Sequence, residues 1–196
     1  MIRVTEVLNA FKQEWYVKWV DKNGLAHCNR VGKAAMKVGS RVDDLIKSGS
    51  PYPTKKDGIE VNNCINAYIK WKKTYNFGSE DIVNGLRLYR VIDGQEVTGE
   101  PDIYVQGVLV DIKCASKISP DYWLQVNAYR FLEGKTGKVA ILRLDKETSS
   151  YEYVVKDYDP FCVNVWRGLM NAYVYYKGVS DGGLDIKEVG EKQEVE

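Results

Sequence analysis

The chain has 196 residues, 44% of them apolar, which is enough for one substantial buried core and too little for a second independent domain. Its 28 basic and 27 acidic residues give a formal net charge of +1, so no global charge excess demands or excludes a nucleic-acid partner, and local patches must decide. No apolar run of about 18 residues and no signal-peptide pattern are visible, which predicts a soluble, cytoplasmic protein with no membrane partner.

Taken in order, Thr5 can cap a helix over residues 6–20, made strongly apolar by Val7, Leu8, Phe11, Trp15, Val17 and Trp19 and stopped by Asn23 and Gly24. A second helical pattern covers residues 25–47 and closes at Ser48 and Gly49, with Gly32 and Gly39 as costly interior residues. On it Val31, Ala34, Ala35, Val38, Val42, Leu45 and Ile46 form one stripe, and Lys33, Lys37 and Arg41 form another on the opposite side. Asp43 falls at the edge of the apolar stripe, where a side chain can point along a core boundary. The turn-rich residues 48–57 read as an exposed connection. Asp57 and Glu60 then make a capping-box signature for a helix to residue 75, with Val61, Cys64, Ile65, Tyr68 and Trp71 inside and Lys70, Lys72 and Lys73 outside.

Residues 86–92 and 96–105 read as strands joined by Asp93 and Gly94, with Pro101 forcing a break or an edge position in the second. With the next strand these predict at least three strands in meander order. A helix over residues 121–132 should bury Leu124, Ala128, Phe131 and Leu132, leaving Gln125 and Tyr129 one turn apart on the flank. Strands at 139–144 and 151–155 and a helix from Asp159–Pro160 to residue 176 complete one domain over residues 1–177. Residues 178–196, with Asp181, Asp185, Glu188, Glu191, Glu194 and Glu196, are expected to be a flexible acidic tail that masks a more basic body.

The chemistry gathers between residues 98 and 129. Apolar residues Ile103, Val105, Val108, Val110 and Ile112 flank Gln106 and Gly107, which suits a two-residue hairpin turn and sets Asp102 directly opposite Asp111. Opposed residues have Cβ atoms roughly 4.5–5.5 Å apart, so the two carboxylates share one small volume. Alternation puts Lys113 on their face and the five apolar side chains on the other, which predicts one face that is all core and one that ends in two acids and a base. Two carboxylates this close stay ionised only beside a cation. All-oxygen ligation favours Mg2+ or Mn2+, which suits phosphodiester hydrolysis.

With Asp102 after Pro101, the Asp111-Ile112-Lys113 tripeptide and Gln125 four residues before Tyr129, the chain resembles the PD-(D/E)XK nuclease superfamily in its RecB-like branch. Val4, Thr5, Glu6, Val7 and Leu8 also resemble the start of the phage-type exonuclease group that includes the mitochondrial genome maintenance exonuclease. The resemblance implies an α/β, α+β-like fold: a restriction-endonuclease-like core with a mixed central sheet of about five strands flanked by helices. It implies that Asp102, Asp111 and the Ile112 carbonyl bind metal, that Lys113 positions or helps deprotonate the attacking water, and that Gln125 and Tyr129 lie on the substrate side, Gln125 in a catalytic role.

In that branch a Gly-Thr-x-x-His pattern brings a metal-binding His; here Gly39, Ser40, Arg41, Val42 and Asp43 occupy it, so Asp43 stands as the candidate ligand. A glutamate before the first central strand is represented by Glu80 or, by strand parity, Glu100. Some members carry an iron–sulfur cluster on closely spaced cysteines. Cys28, Cys64, Cys114 and Cys162 lack that spacing, and no cluster is expected.

The reading is a Mg2+- or Mn2+-dependent deoxyribonuclease, an exonuclease of replication, repair or recombination. Lys33, Lys37 and Arg41 are its candidate DNA contacts. The alternatives are a structure-specific endonuclease and a non-catalytic nucleic-acid-binding module on the same fold. A recombination or replication partner, a homo-oligomer and, if phage-encoded, the host-cell cytoplasm complete the expectations.

Overall fold

The computed structural model describes residues 1–11, 14–49 and 51–180. The acidic tail from residue 181 onward and the side chain of Trp15 lie outside the described residues.

The first predicted helix is two helices, α1 (Val4–Ala10) and α2 (Glu14–Asn23). Ahead of them Ile2–Arg3 forms a short strand, β1, which pairs in parallel with Val97 and Thr98. That extended backbone starts the helix at Val4 and gives the closing role to Glu6, whose carboxylate accepts the Arg3 backbone N–H at 3.4 Å, instead of to Thr5. Phe11 is extended and ends α1. Val17 is exposed, so the apolar face of α2 is not all core.

Helix α3 (Leu25–Lys47) has the predicted bounds, but only its second half is buried in the domain core. Val42, Leu45 and Ile46 are buried, whereas Val31 and Ala34 of the same stripe are exposed. The first half packs on α2, where the Cys28 thiol reaches the Trp19 carbonyl at 3.7 Å. Helix α4 (Ile59–Thr74) buries Val61, Cys64, Ile65, Tyr68 and Trp71 as predicted. Its N-cap is Gly58, because the Asp57 carboxylate is already engaged by the Thr54 backbone N–H at 2.7 Å and by Arg41.

The strands form two sheets. β3 (Leu88–Ile92) and β4 (Gln95–Gly99) are a hairpin whose turn residues Asp93 and Gly94 both have positive φ, and with β1 they make a three-stranded sheet. The second sheet has the order β2-β5-β6-β7-β8, from β2 (Ile82–Asn84), β5 (Ile103–Val105), β6 (Val108–Cys114), β7 (Lys138–Leu144) and β8 (Tyr151–Asp157). The expected meander is therefore broken where the chain passes through Glu100, Pro101 and Asp102 between the sheets. β2, unseen in the sequence, completes the five strands. Its exit is tight: a Cβ at Gly85 would fall 1.9 Å from the Pro101 carbonyl oxygen, and the Gly85 N–H donates to the Asp102 carbonyl at 2.9 Å.

Within the five-stranded sheet β5 and β6 pair in the predicted register, Ile103 with Val110 and Val105 with Val108. Gln106 and Gly107 take φ of 48° and 83°, the two left-handed residues of a type I′ turn. β6 and β7 are parallel, joined by the crossover helix α5 (Pro120–Leu132), and β7 and β8 are antiparallel.

Both faces of this sheet are core, which corrects the expectation of a single apolar face. Ile103, Val105, Val110, Ala140, Leu142 and Leu144 pack with α3 and α4. Leu109, Val139 and Ile141 pack with α1, α5 and helix α6 (Pro160–Ser180). The acids occupy only the strand ends, because Leu109 and Tyr104 carry the same face into the second core. Helix α6 runs past the predicted end at residue 176. No helix among the described residues is long and apolar enough to cross a membrane.

Candidate active site

The hairpin turn, by setting the register of β5 against β6, brings Asp102 beside the end of β6. There the Ile112 backbone N–H donates to Asp102 Oδ2 at 2.6 Å. Asp111, one residue earlier, is 1% exposed, and its Oδ1 is met by Gln125 of the following helix. Helix α5 is fixed against the hairpin by the buried Arg130, which donates to the carbonyls of Gly107 at 2.8 Å and Lys138 at 2.6 Å. Of the predicted stripe Ala128 and Leu132 are buried and Leu124 and Phe131 half-buried, whereas Gln125 and Tyr129, expected on the flank, are buried with Asn127 and Arg130 because the helix is enclosed by the sheet, α1 and α6.

Four side chains close into one network. Gln125 Nε2 donates to Asp111 Oδ1 at 3.1 Å and to the Tyr129 hydroxyl at 2.9 Å. Lys113 Nζ donates to Gln125 Oε1 at 3.1 Å and lies 2.8 Å from Asp111 Oδ2. The ammonium also sits 5.2 Å from the centroid of the Tyr122 ring, a cation–π contact that the sequence reading missed. Gly99 makes room for this arrangement, since a Cβ there would come 2.5 Å from the Tyr129 ring.

The electrostatics follow from burial and from like charges. Burial, and then the neighbouring charge of Asp111, push the Asp102 carboxyl up to about 7 against the pull of Lys113 and the Ile112 N–H. Burial also raises Asp111, with Lys113 opposing it. For Lys113 burial acts against the charge, but Asp111 and Asp102 outweigh it and hold the ammonium above the ordinary lysine range. Lys113 is therefore a protonated donor in this arrangement.

Asp43 reaches the same place from α3. A cleft of about 210 Å³ is lined by Gly39, Val42, Asp43, Asp102, Ile112, Lys113 and Cys114. Asp43 Oδ2 lies 3.0 Å from Lys47 Nζ, one turn on along the helix. Lys47 Nζ lies 3.4 Å from Glu100 Oε1, and Arg87 approaches the other oxygen of Glu100 at 3.5 Å. The sequence reading overlooked Lys47, although its position four residues after Asp43 is the spacing at which helical charges meet.

Other candidates fall elsewhere. Glu80 stands just before β2, at the turn end of the hairpin, where neighbouring Asp81 is bonded by Gln106 through its carbonyl at 3.1 Å and its carboxylate at 3.0 Å. Asp102 is at the opposite end of β5, roughly 10 Å away at the rise of a strand. Glu100 is thus the upstream glutamate that the fold brings near Asp43. Arg41 is held by Asp57 in a bidentate pair at 2.7 and 3.1 Å, which takes it out of the basic stripe. Lys33 and Lys37 are exposed and line a shallow groove with Arg30 and Asn29.

A hard cation suits the donor set. Asp102 and Asp43 open on one cleft together with Ile112, and Asp111, whose Oδ2 is met by the Lys113 ammonium at 2.8 Å, adds a third carboxylate beside Asp102. Among the described residues, however, no three His, Cys, Asp or Glu side chains converge closely enough to form a ready-made metal group. Two lysines account for this: Lys113 draws in Asp111, and Lys47 draws Asp43 toward Glu100.

No protein-family model and no curated protein matches the sequence. Among solved structures the chain is similar to an alkaline exonuclease from Laribacter hongkongensis, with a TM-score of 0.52, 13% identity, and coverage of 91% of this chain and 88% of that one. It is also similar to a protein assigned as an exonuclease from Eubacterium rectale, with a TM-score of 0.55, 16% identity, and coverage of 77% and 69%. At these identities the likeness speaks for the fold alone, and the chain shares with these structures a mixed α/β fold, here with the five-stranded mixed sheet flanked by helices expected from the sequence.

Proposed function

We propose that the chain is a metal-dependent deoxyribonuclease, and within that class an exonuclease. The observation that carries the reading is the closed network of Asp111, Lys113, Gln125 and Tyr129 beside Asp102, assembled on a nuclease fold. A non-catalytic module has no need to keep an ammonium against a buried carboxylate, because burying Asp111 costs desolvation that an apolar residue avoids.

Asp102, Asp111, the Ile112 carbonyl and Asp43 are the groups that would hold Mg2+ or Mn2+. The ion, when bound, would polarise the scissile phosphate and lower the pKa of a water. Lys113 keeps its proton and faces the cleft as a donor, so its role is to orient a nucleophilic water and to offset charge that develops on the phosphate. Gln125 fixes Lys113 and Asp111 relative to one another through its two amide atoms, and Tyr129 fixes Gln125. Arg30, Lys33 and Lys37 on the exposed half of α3 supply phosphate contacts that position DNA without reading its sequence.

The test incubates the protein with linear and with closed circular DNA, each with Mg2+, Mn2+ or a chelator, beside Lys113→Ala. The expected outcome is metal-dependent cleavage of the linear form that the variant loses by at least about 1000-fold. No cleavage under any condition would sink the reading, and cleavage of closed circles would replace the exonuclease by an endonuclease.

A further inference from the structure

The two ammonium groups of the site are held in different ways. Lys113 is 21% exposed and is held by the fully buried Asp111, by Gln125 and by the Tyr122 ring. Lys47 is 28% exposed at the end of α3 and touches two carboxylates that are themselves 37% and 42% exposed, Asp43 and Glu100. Its backbone is pinned, because Asn84 Nδ2 donates to the Lys47 carbonyl at 3.0 Å. The freedom at this corner therefore lies in the side chain. Asp102 also acts on the Lys47 charge, so the ammonium stands in the field of three carboxylates, with Arg87 on the far side of Glu100.

We propose that Lys47 is a built-in counter-cation of the cleft, which competes with a divalent ion for Asp43 and thereby sets how tightly the protein holds its metal. The inference rests on the metal-nuclease reading above. Physically, a divalent ion placed between Asp43 and Asp102 meets a like charge that already neutralises one of its ligands, so binding must first displace the ammonium. Lysine suits an exchangeable partner: it is a compact, strongly hydrated charge on a flexible stem, without the bidentate fork that makes arginine a clamp. The pair is half-exposed, so the ammonium regains water when it leaves. It keeps Asp43 and Glu100 from repelling one another when no metal is present.

The experiment measures Mn2+ binding to the full chain, from the spin-resonance signal of free Mn2+ and by calorimetry. The proteins compared are wild type, Lys47→Met, Lys47→Gln, Lys47→Arg and Asp102→Asn, with thermal unfolding run on each. Two neutral replacements are included so that one folded variant suffices. The expected result is Mn2+ bound about tenfold more tightly by the neutral variants, near wild-type affinity in Lys47→Arg, and at least about tenfold weaker binding in Asp102→Asn. Unchanged or weaker binding in a folded neutral variant, with Asp102→Asn still defective, overturns the role of Lys47 and leaves the nuclease reading standing. Failure of Asp102→Asn to weaken binding, or no saturable Mn2+ binding by wild type, overturns the nuclease reading as well.

Discussion

The two sides of the candidate site differ in how their charges are held. On the α5 side Lys113 joins the buried side chains of Asp111, Gln125 and Tyr129 in a network in which each side chain satisfies another. On the α3 side Asp43, Lys47 and Glu100 are half-exposed and joined by looser contacts. A polar network in a low-dielectric interior is rigid and costly to disturb, whereas exposed ion pairs are worth little and exchange readily. The comparison assigns positioning to the first side and ion exchange to the second, with Asp102 between them.

The largest effect that tests this contrast is expected from Gln125→Leu. Leucine keeps most of the volume but leaves Asp111 and Lys113 without their shared partner, so chemical denaturation should show a loss of about 2–3 kcal/mol. A loss below about 0.5 kcal/mol would show that the α5 side is not a single network.

The boundary between the sides is tested by pH. Asp102 keeps its proton to about 7 in the folded, metal-free protein, while an unfolded carboxyl releases it near its ordinary value of 3.8. Between those values the folded state binds more protons, so this group's contribution to stability falls as pH rises through the window. Thermal unfolding without metal should show a midpoint roughly 5 °C lower at about pH 8 than at about pH 5, with a smaller change in Asp102→Asn. A midpoint that rises across that range in wild type but not in Asp102→Asn would contradict the buried, raised carboxyl.

The smallest effect belongs to the α3 side. Asp43→Asn removes a half-exposed pair one helical turn long, and metal-free stability should change by no more than about 0.5 kcal/mol. A loss above about 1.5 kcal/mol would place Asp43 in a network as tight as that of α5, and the contrast would fail.

Much of this arrangement is legible in the sequence because it depends on local rules. Gln106-Gly107 between alternating apolar residues specifies a hairpin turn, and the turn sets the register that brings Asp102 beside Asp111. The four-residue spacing of Gln125 and Tyr129 specifies their contact on one helix. Other features resist such reading because they depend on neighbours distant in the chain. β1 and β2 are too short to show periodicity and exist only because partner strands hold them. The Asp57 carboxylate matches a capping box, but Arg41 and Thr54 claim it. Glu80 and Glu100 are both plausible by type, and only the antiparallel pairing of β2 with β5 decides which stands near Asp102.

By itself, the sequence determined the hairpin register, the Asp-x-Lys strand end and the helical face that carries Gln125 and Tyr129, since these follow from turn chemistry and from periods of two and 3.6 residues. The tertiary structure alone decided that both sheet faces are buried, that Pro101 marks a passage between two sheets, and that Lys47 stands among Asp43, Glu100 and Asp102. The physical reason is that charges and carboxylates far apart in the chain carry no local signature of their partners. Which of them meet is settled only when the packing of α3 and α5 against the sheet brings them together.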